Sequence, residues 1–131
     1  MIRIVTESMS DFTQEEAKAA DLIVMPLPIR FGMEEYWDDG VSLTQDDFYA
    51  RLRVAKELPK TSQVPVEHYR KCFNRLLENP EDEVLVITGS SKLSGCYQSA
   101  CIAREACHDP ARVTVLDSLN ATCAEYMLVD Q

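Results

Sequence analysis

Two hydroxyl-rich segments, Lys60-Thr61-Ser62-Gln63 and Gly89-Ser90-Ser91-Lys92-Leu93-Ser94-Gly95, hold the residue types best suited to chemistry in this chain. Each is expected to lead into a helix. The second leaves the apolar run Val84-Leu85-Val86-Ile87-Thr88, so its hydroxyls and the free amides of the next helix should point the same way. The first runs into Pro65, which suits a helix's opening turn because the missing N–H would be unpaired there anyway. A helix N-terminus offers unpaired N–H donors and partial positive charge, so it holds a carboxylate or phosphate without a cationic side chain. The two segments together predict one oxyanion site. Gly95, beside Ser94, lets backbone approach a bound oxygen.

The elements that must position these turns read as strand, helix, strand, helix, helix, strand, helix, strand, helix. That alternation predicts an α/β fold, a mostly parallel sheet with helices on both faces in three layers. The first strand is expected at 2–6. Thr13-Gln14-Glu15-Glu16 has capping-box spacing and predicts a helix to about residue 20. The segment 22–31, interrupted by Pro26 and Pro28, reads as a short strand, a break and an edge-like extended piece. Asp38-Asp39-Gly40 is a turn, and Thr44-Gln45-Asp46-Asp47 caps a helix that ends before Pro59. In the next helix Tyr69, Cys72, Phe73, Leu76 and Leu77 follow the spacing of one apolar face. A helix over about 94–108 carries the small-residue stripe Cys96, Ala100, Ala103 and Cys107, which predicts close packing on the sheet. Val113-Thr114-Val115-Leu116 is the last strand, Asp117-Ser118 its exit turn, and a helix through Ala121, Ala124, Met127 and Leu128 follows.

In an open parallel sheet, ligands bind outside the carboxyl ends of the strands. The turns at Thr61-Ser62, Ser90 to Gly95 and Asp117-Ser118 are candidates for that edge, with Ser91 and Ser118 the weaker hydroxyls. A site of neutral donors suits a single carboxylate. A nucleotide triphosphate needs the phosphate-loop spacing with its lysine, which residues 89–96 lack. Hydrolysis is the rival use: Ser94 or Ser91 as nucleophile, with His68 or His108 as base. No Gly-x-Ser-x-Gly elbow supports it, and both histidines read better as surface or capping residues. No ligand spacing for a metal is present, and no cofactor is expected.

The length, 131 residues, fits a single domain over 1–131. The net charge of −9 argues against nucleic acid, which needs clustered Lys and Arg. The acidic pairs Glu15-Glu16, Glu34-Glu35, Asp38-Asp39 and Asp46-Asp47 read as solvated faces. No run reaches the roughly 18 to 20 apolar residues of a membrane span. Met1 leads straight into Ile2-Arg3-Ile4-Val5 without the features of a signal peptide, so a cytoplasmic location is expected. The five cysteines show no Cys-x-x-Cys spacing and read as reduced, small apolar residues.

The ordered motifs resemble those of the DegV family of bacterial fatty-acid-binding proteins. They are Ile4-Val5-Thr6-Glu7-Ser8, Val24-Met25-Pro26-Leu27-Pro28-Ile29 with Phe31, Tyr36 before Asp39-Gly40, Phe48-Tyr49 with Leu52, Pro59-Lys60-Thr61-Ser62-Gln63, residues 90–100, and Val115-Leu116-Asp117-Ser118. The resemblance spans essentially the whole chain and implies the N-terminal α/β domain of that family. It implies non-covalent binding of one long-chain fatty acid, whose carboxylate Thr61, Ser62, Ser94 and Gly95 would contact. It further implies a carrier rather than a stand-alone enzyme, presenting the carboxylate to a separate ATP-dependent fatty acid kinase subunit. Glu7 stands where the family usually has Asp, and Cys96 where it has Thr. Family members are about twice this length, so their second domain is expected to be absent here, and self-association is expected to cover the surface it would occupy. A fold that kept its shape but binds no ligand is the remaining alternative.

Overall fold

The computed structural model describes residues 1–131. In chain order the elements are β1 (Ile2–Glu7), α1 (Gln14–Ala19), β2 (Ile23–Met25), β3 (Pro28–Phe31), β4 (Glu34–Trp37), α2 (Gln45–Val54), β5 (Lys60–Thr61), α3 (Val66–Leu76), β6 (Glu83–Thr88), α4 (Cys96–Glu105), β7 (Val113–Asp117) and α5 (Cys123–Asp130). Short 3-10 turns at Ser8–Ser10 and Pro110–Arg112 follow β1 and precede β7.

Strands β2-β1-β6-β7 form one parallel sheet in that order. Successive strand side chains point to opposite faces, and the apolar runs divide accordingly. Val5, Val84, Val86 and Val113 join Tyr69, Phe73 and Cys72 of α3 and Cys96, Ala100 and Ala103 of α4 in the larger core. Leu85 and Ile87 turn the other way with Ile4 and Val24, toward Phe12, Tyr126 and Val129. Phe12 and Tyr126 stack there with centroids 4.1 Å apart. Helices therefore cover both faces, as the alternation predicted. Cys96, Ala100 and Ala103 on α4, and Cys107 just beyond it, are all buried, so α3 and α4 pack closely over the sheet. Both N-terminal caps form: Thr13 accepts from the Glu16 amide while Glu16 accepts from the Thr13 amide, and Thr44 accepts from the Asp47 amide.

Arg112 closes the turn between α3 and β6. Its guanidinium donates to the carbonyls of Leu77, Asn79 and Asp82 at 2.9 to 3.0 Å, and to Asp109 Oδ2 at 2.8 Å. These carbonyls are left over where α3 ends, and a planar fork reaches three at once. Arg112→Ala is expected to lower stability by about 2 kcal/mol, with Arg112→Lys recovering little of it, as a shift in the urea midpoint at unchanged slope.

Three expectations are corrected. A second, antiparallel sheet, β4-β3-β5, stands beside the parallel one. Its hairpin turns at Gly32-Met33, where Gly32 takes a φ of 59° that a two-residue turn between twisted strands favours. The Lys60-Thr61-Ser62-Gln63 segment is not a bare turn: Lys60 and Thr61 form a strand paired with Arg30 and Ile29, and the chain then runs through Pro65, the N-cap, into α3 at Val66. Finally, α4 runs over Cys96–Glu105, shorter than 94–108, so Ser94 precedes it and Gly95 is its cap. Helix α2 has no buried residue; an edge-to-face contact of Phe48 with Phe31 at 5.7 Å and an Arg51 to Glu34 ion pair at 3.0 Å hold it to the hairpin.

Candidate functional site

The parallel sheet reverses its direction of winding at β1, which has β2 on one side and β6 on the other. The carboxyl ends of β1 and β6 thus flank the crevice where ligands bind in such sheets. A cleft of about 400 Å³ opens there. Ser8 and Met9 after β1, Thr61, Ser62 and Gln63 from β5 and its exit, Leu93, Ser94 and Gly95 before α4, and Thr122 at the start of α5 line it. The four residues singled out from sequence, Thr61, Ser62, Ser94 and Gly95, all lie on this one cleft.

Two links bring the hydroxyl turns together. Gln63 packs over Gly95 so closely that a Cβ there would lie 3.1 Å from the Gln63 amide carbon. The Val64 amide donates to Cys96 Sγ at 3.4 Å, in the interior. The thiol accepts as a hydroxyl at that position could. Thr61 and Ser62 hydroxyls have no partner within the chain, and Ser94 Oγ accepts from the Cys96 amide at 3.2 Å, leaving its own O–H free to donate. The amides of Gly95, Tyr97 and Gln98 at the N-terminal end of α4 are likewise without intrachain acceptors. This is a set of neutral donors around one opening. No Lys or Arg lines it, whereas Asp11 and Asp38 do, on the side that it shares with a second cavity.

Ser91 and Ser118 serve elsewhere. The Ser91 amide donates to Asp117 Oδ1 at 3.1 Å, and buried Ser118 exchanges hydrogen bonds with Asn120, so both shape the turn after β7 and neither lines the cleft. Neither histidine side chain hydrogen-bonds a serine: the His68 ring packs on Trp37 at 5.0 Å, and His108 is exposed beyond the end of α4. No group of three or more His, Cys, Asp or Glu is arranged to hold a metal ion.

A second cavity of about 710 Å³ adjoins the cleft, sharing Ser8, Asp11, Asp38 and Thr61 with it. It is the more apolar of the two. Phe12, Val24, Ile29, Leu43, Phe48 and Tyr49 line it, between the parallel sheet and the small antiparallel one. The second sheet, which sequence patterning missed, thus builds one wall of this cavity and carries Thr61 to the head of it.

Behind the cleft lies a polar cluster that the sequence did not announce. Glu7 is fully buried, its Oε1 accepting from the Gly89 amide and its Oε2 from the Met9 amide, both at 2.7 Å. Glu125 of α5, also fully buried, accepts from the Thr6 hydroxyl at 3.2 Å through Oε1. Glu7 lies two residues after Val5 in β1 and so on the same face, the signal that could have revealed it as an inward carboxylate. Thr122, one turn before Glu125, holds φ 51° and ψ −129°, a conformation that costs about 1 to 3 kcal/mol for a non-glycine residue. Its amide donates to the Met9 carbonyl at 3.0 Å.

A family model described as an uncharacterised protein of the DegV family matches residues 1–131. A DegV domain-containing protein of Caldanaerobacter subterraneus is 39% identical over 128 residues, covering 98% of this chain and 44% of that one. A Thermotoga maritima protein named as a fatty acid-binding protein is 35% identical over 130 residues, 94% of this chain and 42% of its own. Among solved structures, a stearic acid-binding protein from Eubacterium ventriosum superposes with TM-score 0.90 at 31% identity, over 99% of this chain and 45% of that one. A DegV family protein from Thermus thermophilus, described as binding fatty acid, gives TM-score 0.86 at 33% identity, over 98% and 44%. The chain spans less than half the length of these relatives. No helix is long and apolar enough to cross a membrane.

Proposed function

The chain belongs to the DegV family, and from that membership and the paired cavities we propose that it binds one long-chain fatty acid without covalent chemistry. The observation that carries the reading is the junction at Ser8, Asp11, Asp38 and Thr61, where the cleft that holds the hydroxyl and amide donors adjoins the more apolar cavity. The carboxylate takes hydrogen bonds from Thr61, Ser62 and Ser94 hydroxyls and the Gly95 amide, beside the N-terminal end of α4. The acyl chain runs over Ile29, Phe48 and Phe12. Leu93 on the cleft rim, 71% exposed, becomes covered when the ligand is bound. Burial is worth about 0.8 kcal/mol per CH₂, so a wall from further chain or from a second copy of this one strengthens binding.

In this reading the chain is a carrier. The carboxylate faces outward from the hydroxyl cleft, where a separate ATP-dependent fatty acid kinase subunit transfers a phosphoryl group from ATP onto a carboxylate oxygen, giving acyl phosphate and ADP. The chain's own role is to hold and orient the acid in a cytoplasmic setting.

Mass spectrometry of the purified protein, first native and then after organic extraction, tests the reading. One long-chain acid per chain, or stoichiometric uptake of added palmitate, is the expected result. A protein that carries none and takes up none would overturn it.

A further inference from the structure

Glu7 and Glu125 come from opposite ends of the chain and meet in the interior, each fully buried. Thr6, the neighbour of Glu7 on β1, donates its hydroxyl to Glu125 Oε1 at 3.2 Å, and each carboxyl perturbs the other. No Lys or Arg is among the buried residues, so neither charge is balanced by a cation. Hydrogen-bond accounting distinguishes the two. Burial pushes the Glu7 carboxyl upward as well, but both its oxygens accept backbone amides, which favours its ionised form over that of Glu125. Glu125 uses only Oε1, and its Oε2 is buried with no donor to accept from. A buried acceptor left unpaired is costly, whereas a proton on that oxygen turns it into a donor, with the Glu7 carboxylate as the neighbouring acceptor.

We propose that Glu7 and Glu125 are a positioning pair that shares one proton and braces the back wall of the carboxylate cleft, so that losing the proton loosens the wall and weakens fatty-acid binding. The second half rests on the proposed function; the first does not. The brace reaches the cleft by two routes. Glu7 fixes the amides of Met9 and Gly89, where the two loops leave β1 and β6, and Met9 lines the cleft. Glu125 anchors the first turn of α5, whose strained cap Thr122 also lines the cleft and donates to Met9. A second negative charge in this pair would push α5 and β1 apart at that junction.

Burial, then the neighbouring Glu7, pushes the Glu125 carboxyl up from 4.5 to about 8. The other titratable groups facing the pair add no positive charge. Asp11 and Asp38 are acidic; Tyr69 on α3 and Cys96 on α4 are both pushed upward by burial, Tyr69 strongly. Because the folded carboxyl keeps its proton where the unfolded one has lost it, stability falls as pH rises from about 4.5 to about 8 and levels off above. Between pH 6 and pH 9 that linkage raises the unfolding constant roughly a hundredfold.

The test compares the wild type with Glu125→Gln, which keeps a neutral donor beside Glu7, and with Glu7→Gln. NMR amide shifts of Met9 and Gly89, followed without ligand from pH 5 to 10, should inflect near pH 8 in the wild type. They should be flat across that window in Glu125→Gln, and the inflection should move to lower pH in Glu7→Gln. Palmitate affinity, taken as the ratio of wild type to Glu125→Gln so that titration of the ligand cancels, should fall about tenfold between pH 6 and pH 9. Wild-type amide shifts without an inflection, or with one that survives in Glu125→Gln, would overturn the pair. A clear inflection with a constant palmitate ratio would overturn its hold on the cleft. An inflection lost in Glu125→Gln, in a protein that never binds palmitate, would sustain the proton-sharing brace and reject the fatty-acid reading instead.

Discussion

Replacing Thr61 and Ser94 together by alanine is expected to weaken palmitate binding by two to four orders of magnitude. Each substitution removes a hydroxyl donor to a charged oxygen, worth about 1.5 to 3 kcal/mol, and each tenfold in affinity is about 1.4 kcal/mol. The fold should survive. Thr61 is exposed on a two-residue strand that pairs through its backbone, and its hydroxyl has no partner within the chain. Ser94 gives up one contact, acceptance of the Cys96 amide at 3.2 Å, a capping interaction worth about 1 kcal/mol. Calorimetric titration of the single and double variants should show each single losing roughly tenfold to a hundredfold. Thr61→Ser, which keeps the hydroxyl, should restore most of the Thr61 loss. An unchanged affinity in the double variant would remove the carboxylate from this cleft.

Gly89→Ala is expected to cost about 3 kcal/mol of stability. A Cβ at this position would lie 2.8 Å from Glu7 Oε1, 2.8 Å from Met9 Cε and 2.9 Å from Met9 Sδ. The methionine is only half-buried and flexible, so it can swing aside. Glu7 cannot, because its carboxylate is fully buried and already accepts two amides at 2.7 Å. Overpacking in such a place costs about 1 to 3 kcal/mol, and displacing a buried carboxylate from its donors adds the cost of a charge left without partners. Urea unfolding measures the loss. The same Gly89→Ala change made in a Glu7→Ala background should cost at least 1 kcal/mol less, because residues in contact are not additive and the main obstacle is gone. Equal costs in both backgrounds would mean that Glu7 does not pack against the Gly89 turn.

Why some of this molecule was legible and some was not can be seen in particular residues. Tyr69, Cys72, Phe73 and Leu77 are buried as their spacing predicted, because helical periodicity is a local property that the core only ratifies. The Thr13-Glu16 capping box is legible for the same reason: donor and acceptor lie within one turn. Three of the four acidic pairs fared likewise, with Glu15-Glu16, Glu34-Glu35 and Asp46-Asp47 exposed, whereas Asp39 is half-buried and Asp38 lines both cavities. By contrast β5 has only two residues and pairs with β3 some thirty positions earlier, so nothing in Lys60-Thr61 itself marks a strand. The segment does run on into α3 through Pro65, but the strand that carries Lys60 and Thr61 is not legible in it. That Thr61, Ser62, Ser94 and Gly95 share one cleft agrees with their residue types; the scaffold that brings them together was not legible.

From the chain alone come the alternating α/β order, the parallel sheet covered on both faces, the donor-rich segments at 60–63 and 89–95 and the absence of clustered positive charge for a nucleic-acid partner. These are set by periods of two and 3.6, by caps and turns, and by composition, all of which act over a few residues or over the chain as a whole. Only the tertiary structure decided that Gln63 lies on Gly95, that a second small sheet walls an apolar cavity beside the hydroxyl cleft, and that Glu7 meets both Gly89 and Glu125 beneath it. The Glu7 to Gly89 bond joins residues 82 positions apart, and the Thr6 to Glu125 bond residues 119 apart. No local pattern encodes such contacts: which distant groups share one interior space is fixed by how the sheet is ordered and how its helices close over it.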